Sequence, residues 1–153
     1  MLKDYLECGQ LIVDRLKSRL ASSFRMIAGE STLEQLTNYG DYSPAALVIY
    51  GARAKGNSER RGAPVIIEQT WIVACMFPNY DAQGGQAGDN TRLEAGPALS
   101  KVIDVLHGWR PAVGFSALGY IGDERFADEG GQDIYALAFA TSFSHCATRE
   151  EGC

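Results

Sequence analysis

The chain has 153 residues, of which 46 % are hydrophobic and 22 % are charged, and its formal net charge is -5. This length fits one domain, and the composition, close to that of ordinary globular proteins, excludes a disordered or fibrous chain. The acidic balance argues against a dedicated nucleic-acid-binding protein, because affinity for phosphate comes mainly from clustered Lys and Arg.

The sequence also argues against a membrane or secreted protein. Charges interrupt the N-terminal segment from its third residue, and the longest apolar runs are about five residues, far below the roughly 20 that a membrane span needs. The cysteines are widely spaced and form no Cys-x-x-Cys pair; they are Cys8, Cys75, Cys146 and Cys153. This pattern predicts free thiols in a reducing cytoplasm and a soluble, unsecreted chain.

Residues 2–20 predict an amphipathic helix. Their apolar side chains fall within an arc of about 120°, and the charged side chains take the opposite side. The apolar residues are Leu2, Tyr5, Leu6, Ile12, Val13, Leu16 and Leu20. Further along, Ser31 and Glu34 have the spacing of a capping box, which predicts a short helical turn through Leu36.

Residues 45–50 and 64–77 are apolar and rich in β-formers, and together they predict a β-hairpin. Their connection, residues 54–62, is polar and glycine-punctuated, as an exposed hairpin tip should be. The main positive cluster of the chain lies in and next to this tip and consists of Arg53, Lys55, Arg60 and Arg61. Two interpretations remain open: the charges discourage unwanted pairing of sheet edges, or they contact an acidic neighbour or passing DNA.

Residues 78–89 predict a long glycine-rich loop. The Gly84-Gly85-Gln86-Ala87-Gly88-Asp89 run has neither the Gly-Lys-Ser/Thr of a phosphate loop nor the spacing of the dinucleotide fingerprint. We therefore expect an interaction loop that becomes ordered against a neighbouring molecule. Its candidate contact residues are Asn79, Tyr80, Asp81 and Gln83.

Residues 96–106 predict a short helix with a narrow apolar stripe of Leu99, Val102, Ile103 and Leu106. Pro97 suits the first helical turn and Gly108 suits the C-terminal stop. Trp109 and Arg110 follow this stop, and two readings of them stay open: Trp109 plugs the core under the helix end, or both residues belong to an interface.

Two more strands are predicted at 113–121 and 132–143, separated by an acidic loop at 122–131. In the last strand the large residues share one face and small alanines share the other. The order of elements predicts an α+β fold with a small mixed or antiparallel sheet of about four strands covered by two main helices. We expect one domain over residues 1–145 and a flexible tail over residues 146–153.

The sequence shows no catalytic, cofactor-binding or metal-binding constellation. The two histidines of the chain are His107 and His145, and histidine is the residue type best suited to acid–base catalysis near neutral pH. His107 suits a capping role at a helix end, and His145 cannot form a dyad with Cys146 on a regular strand. The carboxylates of the 122–131 loop lack the ligand spacing of an EF-hand. We therefore expect that the protein is not an enzyme.

Two stretches carry a resemblance to a known family. They are Gly-Pro-Ala-Leu-Ser-Lys-Val-Ile-Asp-Val-Leu-His-Gly-Trp-Arg-Pro at 96–111 and the strand ending Ala-Phe-Ala-Thr-Ser-Phe at 143. Residues 91–145 resemble the tail-completion or tail-terminator proteins of Mu-like tailed bacteriophages. The long glycine-rich segment at 78–89 departs from this resemblance.

The resemblance implies a structural protein of the phage neck, assembled in the host cytoplasm, which forms a homohexameric ring on the tail tube. Its implied partners are the tail tube protein and a head-side connector or stopper, with passing contact to genomic DNA in the lumen and none to a membrane. The alternative class is a small-ligand-binding or enzymatic α+β domain with a pocket near the 78–89 loop and Trp109. Such a pocket would need convergent polar groups with perturbed pKa values.

Overall fold

The computed structural model describes residues 4–30, 43–51, 55–57, 63–78, 87–127 and 132–145. Within these residues two helices accompany one mixed six-stranded sheet, which confirms the α+β class. The helices are α1 (Glu7–Leu20) and α2 (Ala87–Leu106). The strands are β1 (Met26–Gly29), β2 (Ala45–Tyr50), β3 (Lys55–Asn57), β4 (Val65–Pro78), β5 (Gly119–Ala127) and β6 (Gln132–His145).

The sheet is built around two long antiparallel strands. β4 and β6 pair along their whole length, from Val65 opposite His145 to Pro78 opposite Gln132. The strand order is β1-β2-β4-β6-β5, and β3 also pairs with β4. β1 runs parallel to β2, and the other pairs are antiparallel. The hairpin prediction for β2 and β4 and the internal position of β6 are both confirmed.

Both helices pack on the same face of the sheet and enclose the main core. The alternation predicted for β6 is confirmed, because Leu137, Phe139 and Phe143 point into this core. The second face carries a smaller buried cluster of Ala28, Leu47, Ala74 and Met76. The described residues contain no helix that is both long and apolar enough to cross a membrane.

The helix boundaries correct two predictions. α1 begins at Glu7 and not near Leu2. A carboxylate oxygen of Asp4 accepts the backbone N–H of Leu6 at 2.9 Å, which forms a turn that precedes the helix. α2 begins at Ala87, so Pro97 lies inside the helix and not in its first turn. Proline crowds the residue before it, and Gly96, which lacks a Cβ, reduces that conflict in α2.

The strand predictions need three corrections. β1 was not predicted because four residues are too few for a periodic signal, and β3 lies inside the predicted hairpin tip. β5 covers residues 119–127, whereas 113–118 form no strand beyond one bridge between Phe115 and Phe143. The polar residues of β5 are held in the sheet by pairing with β6. A prediction from the local alternation of apolar and polar residues therefore placed this strand wrongly. The predicted turn at 31–36, the segment 79–86 and the tail 146–153 lie outside the described residues.

Candidate interaction surfaces

The segment that follows α2 forms a loop with a closed neck, residues 108–118. Gly108 donates its N–H to the carbonyl of Leu118 at 2.7 Å, and Leu118 donates to the carbonyl of Trp109 at 2.8 Å. Gly108 has φ 83, a conformation that suits glycine after a helix. The helix stop predicted at this glycine is confirmed, and the two bonds hold both ends of the loop together.

The neck of this loop packs against the rest of the protein through Trp109. Trp109 lies against the main core, and the guanidinium of Arg15 sits 5.2 Å from the centre of its ring. The Nε of Arg15 also donates to the carbonyl of Val105 at 3.1 Å. Trp109 therefore fills the space under the end of α2, as one of the two sequence readings holds, whereas Arg110 is exposed.

The far side of the loop is anchored by Phe115 and Ser116. Phe115 is buried, with its ring 5.5 Å from that of Phe143. Ser116 donates its N–H to the carbonyl of Ser142 at 2.8 Å, and the hydroxyl of Ser116 accepts the N–H of Ser142 at 2.9 Å. The hydroxyl of Thr141 donates to the carbonyl of Ser116 at 2.7 Å. These bonds tie the loop to β6.

Between these two anchors the loop presents an apolar tip, residues 111–114. Val113 is 99 % exposed, and Gly114 closes the tip with φ 99. An exposed valine is ordinary by itself, but here it stands on a backbone fixed on both sides. The tip is therefore a preorganised apolar projection, with the positive charge of Arg110 beside it.

The second surface is the sheet face opposite the helices. A groove opens there, enclosing roughly 790 Å³ including the part open to solvent. The small side chains of Ala136 and Ala138 leave the space, and the register of β5 shifts between Tyr120 and Gly122. Ile121 and Phe126 are 58 % and 49 % exposed. The other lining residues include Thr70, Ile72, Asp123 and Glu124.

An ion pair with one buried partner holds the start of β6 to β5. Asp133 is fully buried and lies 3.2 Å from a guanidinium nitrogen of Arg125, whose own side chain is 57 % exposed. The guanidinium also stands over the ring of Tyr135 at 5.8 Å. The neighbouring carboxylate raises the pKa of Arg125. This pair was not predicted from the sequence, since the register of β5 on β6 is what brings the two residues together.

The interface residues predicted from sequence fall into two groups. Lys55 is exposed on β3, Trp109 is half-buried and Arg110 is exposed. The remaining predicted residues lie outside the described part of the chain; they are Arg53, Arg60, Arg61, Asn79, Tyr80, Asp81 and Gln83. Neither the groove nor the apolar tip was predicted from the sequence. The alternating alanines of β6 are the sequence feature that could have indicated the groove.

The two buried thiols and His107 have structural roles. Burial raises the pKa of Cys75 to about 12, and burial together with the charge of Glu7 raises that of Cys8 to about 12, so both thiols stay protonated and unreactive at neutral pH. The Nδ1 of His107 accepts the backbone N–H of Tyr120 at 3.1 Å, which ties the end of α2 to β5. Among the described residues, no three His, Cys, Asp or Glu side chains are grouped to hold a metal ion.

Comparison with known proteins identifies one family. The family described as "Phage tail terminator protein" matches residues 1–148. Among solved structures, a chain of the virion of a native gene transfer agent particle is similar in fold, with a TM-score of 0.52 at 15 % sequence identity. The match covers 93 % of this chain and 100 % of that one. No curated protein matches the sequence at a significant level.

Proposed function

The chain belongs to the phage tail terminator family, and on that premise we propose that identical copies of it close the head-side end of the tail tube as a homohexameric ring. The ring stops growth of the tube and provides the surface on which the head-side connector or stopper docks. The match over residues 1–148 is the observation that carries this proposal.

The two surfaces of the molecule support a ring. A ring whose subunits are related by rotation joins unlike patches of neighbouring copies, so each copy needs two different lateral surfaces. The tip at residues 111–114 and the groove beneath Ala136 and Ala138 differ in shape, one projecting and the other concave. They also lie on different sides of the molecule, since Trp109 and Phe115 join the helix-side core and the groove opens on the other face.

The remaining predicted contacts are divided between partners outside the ring and neighbouring subunits within it. Lys55 is exposed, and Arg53, Arg60 and Arg61 are close to it in sequence, which favours contact with an acidic protein surface or with DNA that passes through the ring. Asn79, Tyr80, Asp81 and Gln83 remain proposed contacts with a neighbouring subunit, and Arg110 is proposed for the lateral contact. The ring belongs to the neck of the virion and is assembled in the host cytoplasm.

A titration of tube growth tests the proposed function. The tail tube protein of the same phage is polymerised with increasing amounts of the chain, and tube lengths are measured by negative-stain electron microscopy. The proposal expects shorter tubes with one blunt, capped end and an effect that saturates at about six copies per tube end. Tube lengths that do not depend on the amount of chain added would contradict it.

A further inference from the structure

We infer that the tip at residues 111–114 of one subunit docks into the open-face groove of the neighbouring copy. The inference rests on the proposed ring and deepens it by naming the lateral contact. The occupant of the groove is thus a second copy of this chain.

The tip and the groove both expose apolar surface. Val113 stands almost entirely in solvent, beside Pro111 and Ala112, and the groove exposes Ile72, Ile121 and Phe126 across its floor and rim. Removing both surfaces from water together is favourable roughly in proportion to the apolar area buried. The backbone of the tip is already fixed by its hydrogen bonds, so docking costs little conformational entropy.

The charges beside the tip and the groove are opposite in sign. Arg110 is the one charged residue in the loop 108–118, and it is exposed beside the tip. Glu124 lies opposite Ala136 on β6 and brings its carboxylate to the β5 side of the groove, whereas Asp123 lies opposite Leu137, which points into the helix-side core. Asp123 already accepts the hydroxyl of Tyr120 at 2.9 Å, which leaves Glu124 as the carboxylate best placed to meet Arg110. Opposite charges at the edge of an apolar contact fix its register and exclude wrong partners.

The positions of the loop and the groove on the subunit also suit a ring. The loop is anchored on the helix-covered side through Trp109 and Phe115, whereas the groove opens on the opposite face of the sheet. A contact that joins opposite sides of successive copies propagates from subunit to subunit and closes only when the rotation completes a ring. One subunit then uses its tip once and its groove once.

Charge reversal tests the contact most specifically. Arg110→Glu and Glu124→Arg are each expected to weaken ring formation on tail tubes at least about tenfold. The double variant, which restores opposite charges at every contact, is expected to recover it. Lys101→Glu makes the same charge change as Arg110→Glu on the exposed side of α2 and serves as the matched control. Circular dichroism confirms that each variant is folded.

Disulfide trapping tests whether the tip of one copy lies close to the groove of the next. Val113→Cys and Ala138→Cys are combined in a chain in which Cys146 and Cys153 are replaced by Ser, assembled on tubes and oxidised with diamide. The expected product is a covalent ladder that ends at the copy number of the ring, whereas either single cysteine gives no ladder. A product that stops at the dimer would overturn the inference, because it indicates a two-fold contact.

The outcomes separate this inference from the proposed function. If the unmodified chain forms rings on tubes, but charge reversal has no effect and no ladder appears, the lateral contact is wrong and the ring stands. If the unmodified chain forms no ring with tube protein, the proposed function fails first. Loss of rings in both single variants without recovery in the double variant also contradicts the Arg110–Glu124 pairing.

Discussion

The two faces of the sheet are made by the same strands and yet carry different side chains. On the helix side β6 contributes Leu137, Phe139 and Phe143, which join the main core. On the other side it contributes Ala136 and Ala138, which line an open groove. The large side chains hold the helices and stabilise the fold, whereas the small ones leave space. Alternation of large and small side chains along one strand thus separates a surface that stabilises the fold from a surface that is available for binding.

Phe139→Ala gives the largest effect expected from this contrast. Phe139 is 0 % exposed, and its loss removes a large apolar side chain and leaves a cavity, at a cost of about 3–5 kcal/mol in the free energy of unfolding. Leu137→Ala is expected to cost about 2–5 kcal/mol. Urea unfolding followed by circular dichroism measures both. Ala138→Ser on the open face is the control, and an equal urea midpoint for Phe139→Ala and this control would refute the assignment of faces.

Gly9→Ala tests how closely α1 approaches the sheet. Alanine favours a helix over glycine by roughly 1 kcal/mol, but a Cβ at Gly9 would lie 2.6 Å from a ring carbon of Trp71. We expect the clash to prevail and the variant to lose about 1–3 kcal/mol. Ser18→Ala, at an exposed position of the same helix, should change stability by about 0.5 kcal/mol or less. A stabilised Gly9→Ala protein would show that α1 does not pack as described.

The pH dependence of stability, compared between the wild type and Cys75→Ala, tests whether the Cys75 thiol is buried. The ordinary pKa of this thiol is 9.0, and burial raises it to about 12 in the folded protein. Because the folded-state pKa is the higher one, its contribution to stability is fully present below pH 9 and is lost as the pH rises towards 12. The unfolding free energy of the wild type should therefore fall more steeply between pH 9 and 11 than that of Cys75→Ala. Parallel pH profiles would contradict the burial of this thiol.

Ala138→Leu has the smallest expected effect on stability. The side chain points into the open groove, where added methyl groups meet no packed neighbour, so the unfolding free energy should change by about 0.5 kcal/mol or less. The same change fills the groove and should prevent ring formation on tail tubes, as seen by electron microscopy. A variant that assembles normally would remove the groove from the interface.

The sequence allowed the α+β class, the β2–β4 hairpin and the faces of β6 to be predicted, because long apolar periodicity and alternation depend on local composition. It misplaced the start of α2, since a glycine-rich segment with an internal Pro97 resembles a loop by propensity alone. It also misplaced β5, whose polar residues are held in the sheet by partner β6 and not by their own pattern.

The interaction surfaces were predicted only in part. Arg110 and Trp109 were named as interface candidates, and Trp109 proved to pack on the core under Arg15. The exposure of Val113 and the groove were not predicted, because both depend on which residues meet across distant elements. The Arg125–Asp133 pair depends on strand register in the same way. Local patterns thus indicate elements and faces, whereas surfaces require the assembled sheet.

The mass of the protein on its tail tube tests the central claim most directly. Multi-angle light scattering is applied to the purified chain of 16.6 kDa, alone and after mixing with short tail tubes separated from free protein. We expect a discrete complex that carries a closed ring of about six copies per tube, whether or not the free chain is already a ring. A chain that stays monomeric and leaves the mass of the tubes unchanged would contradict it.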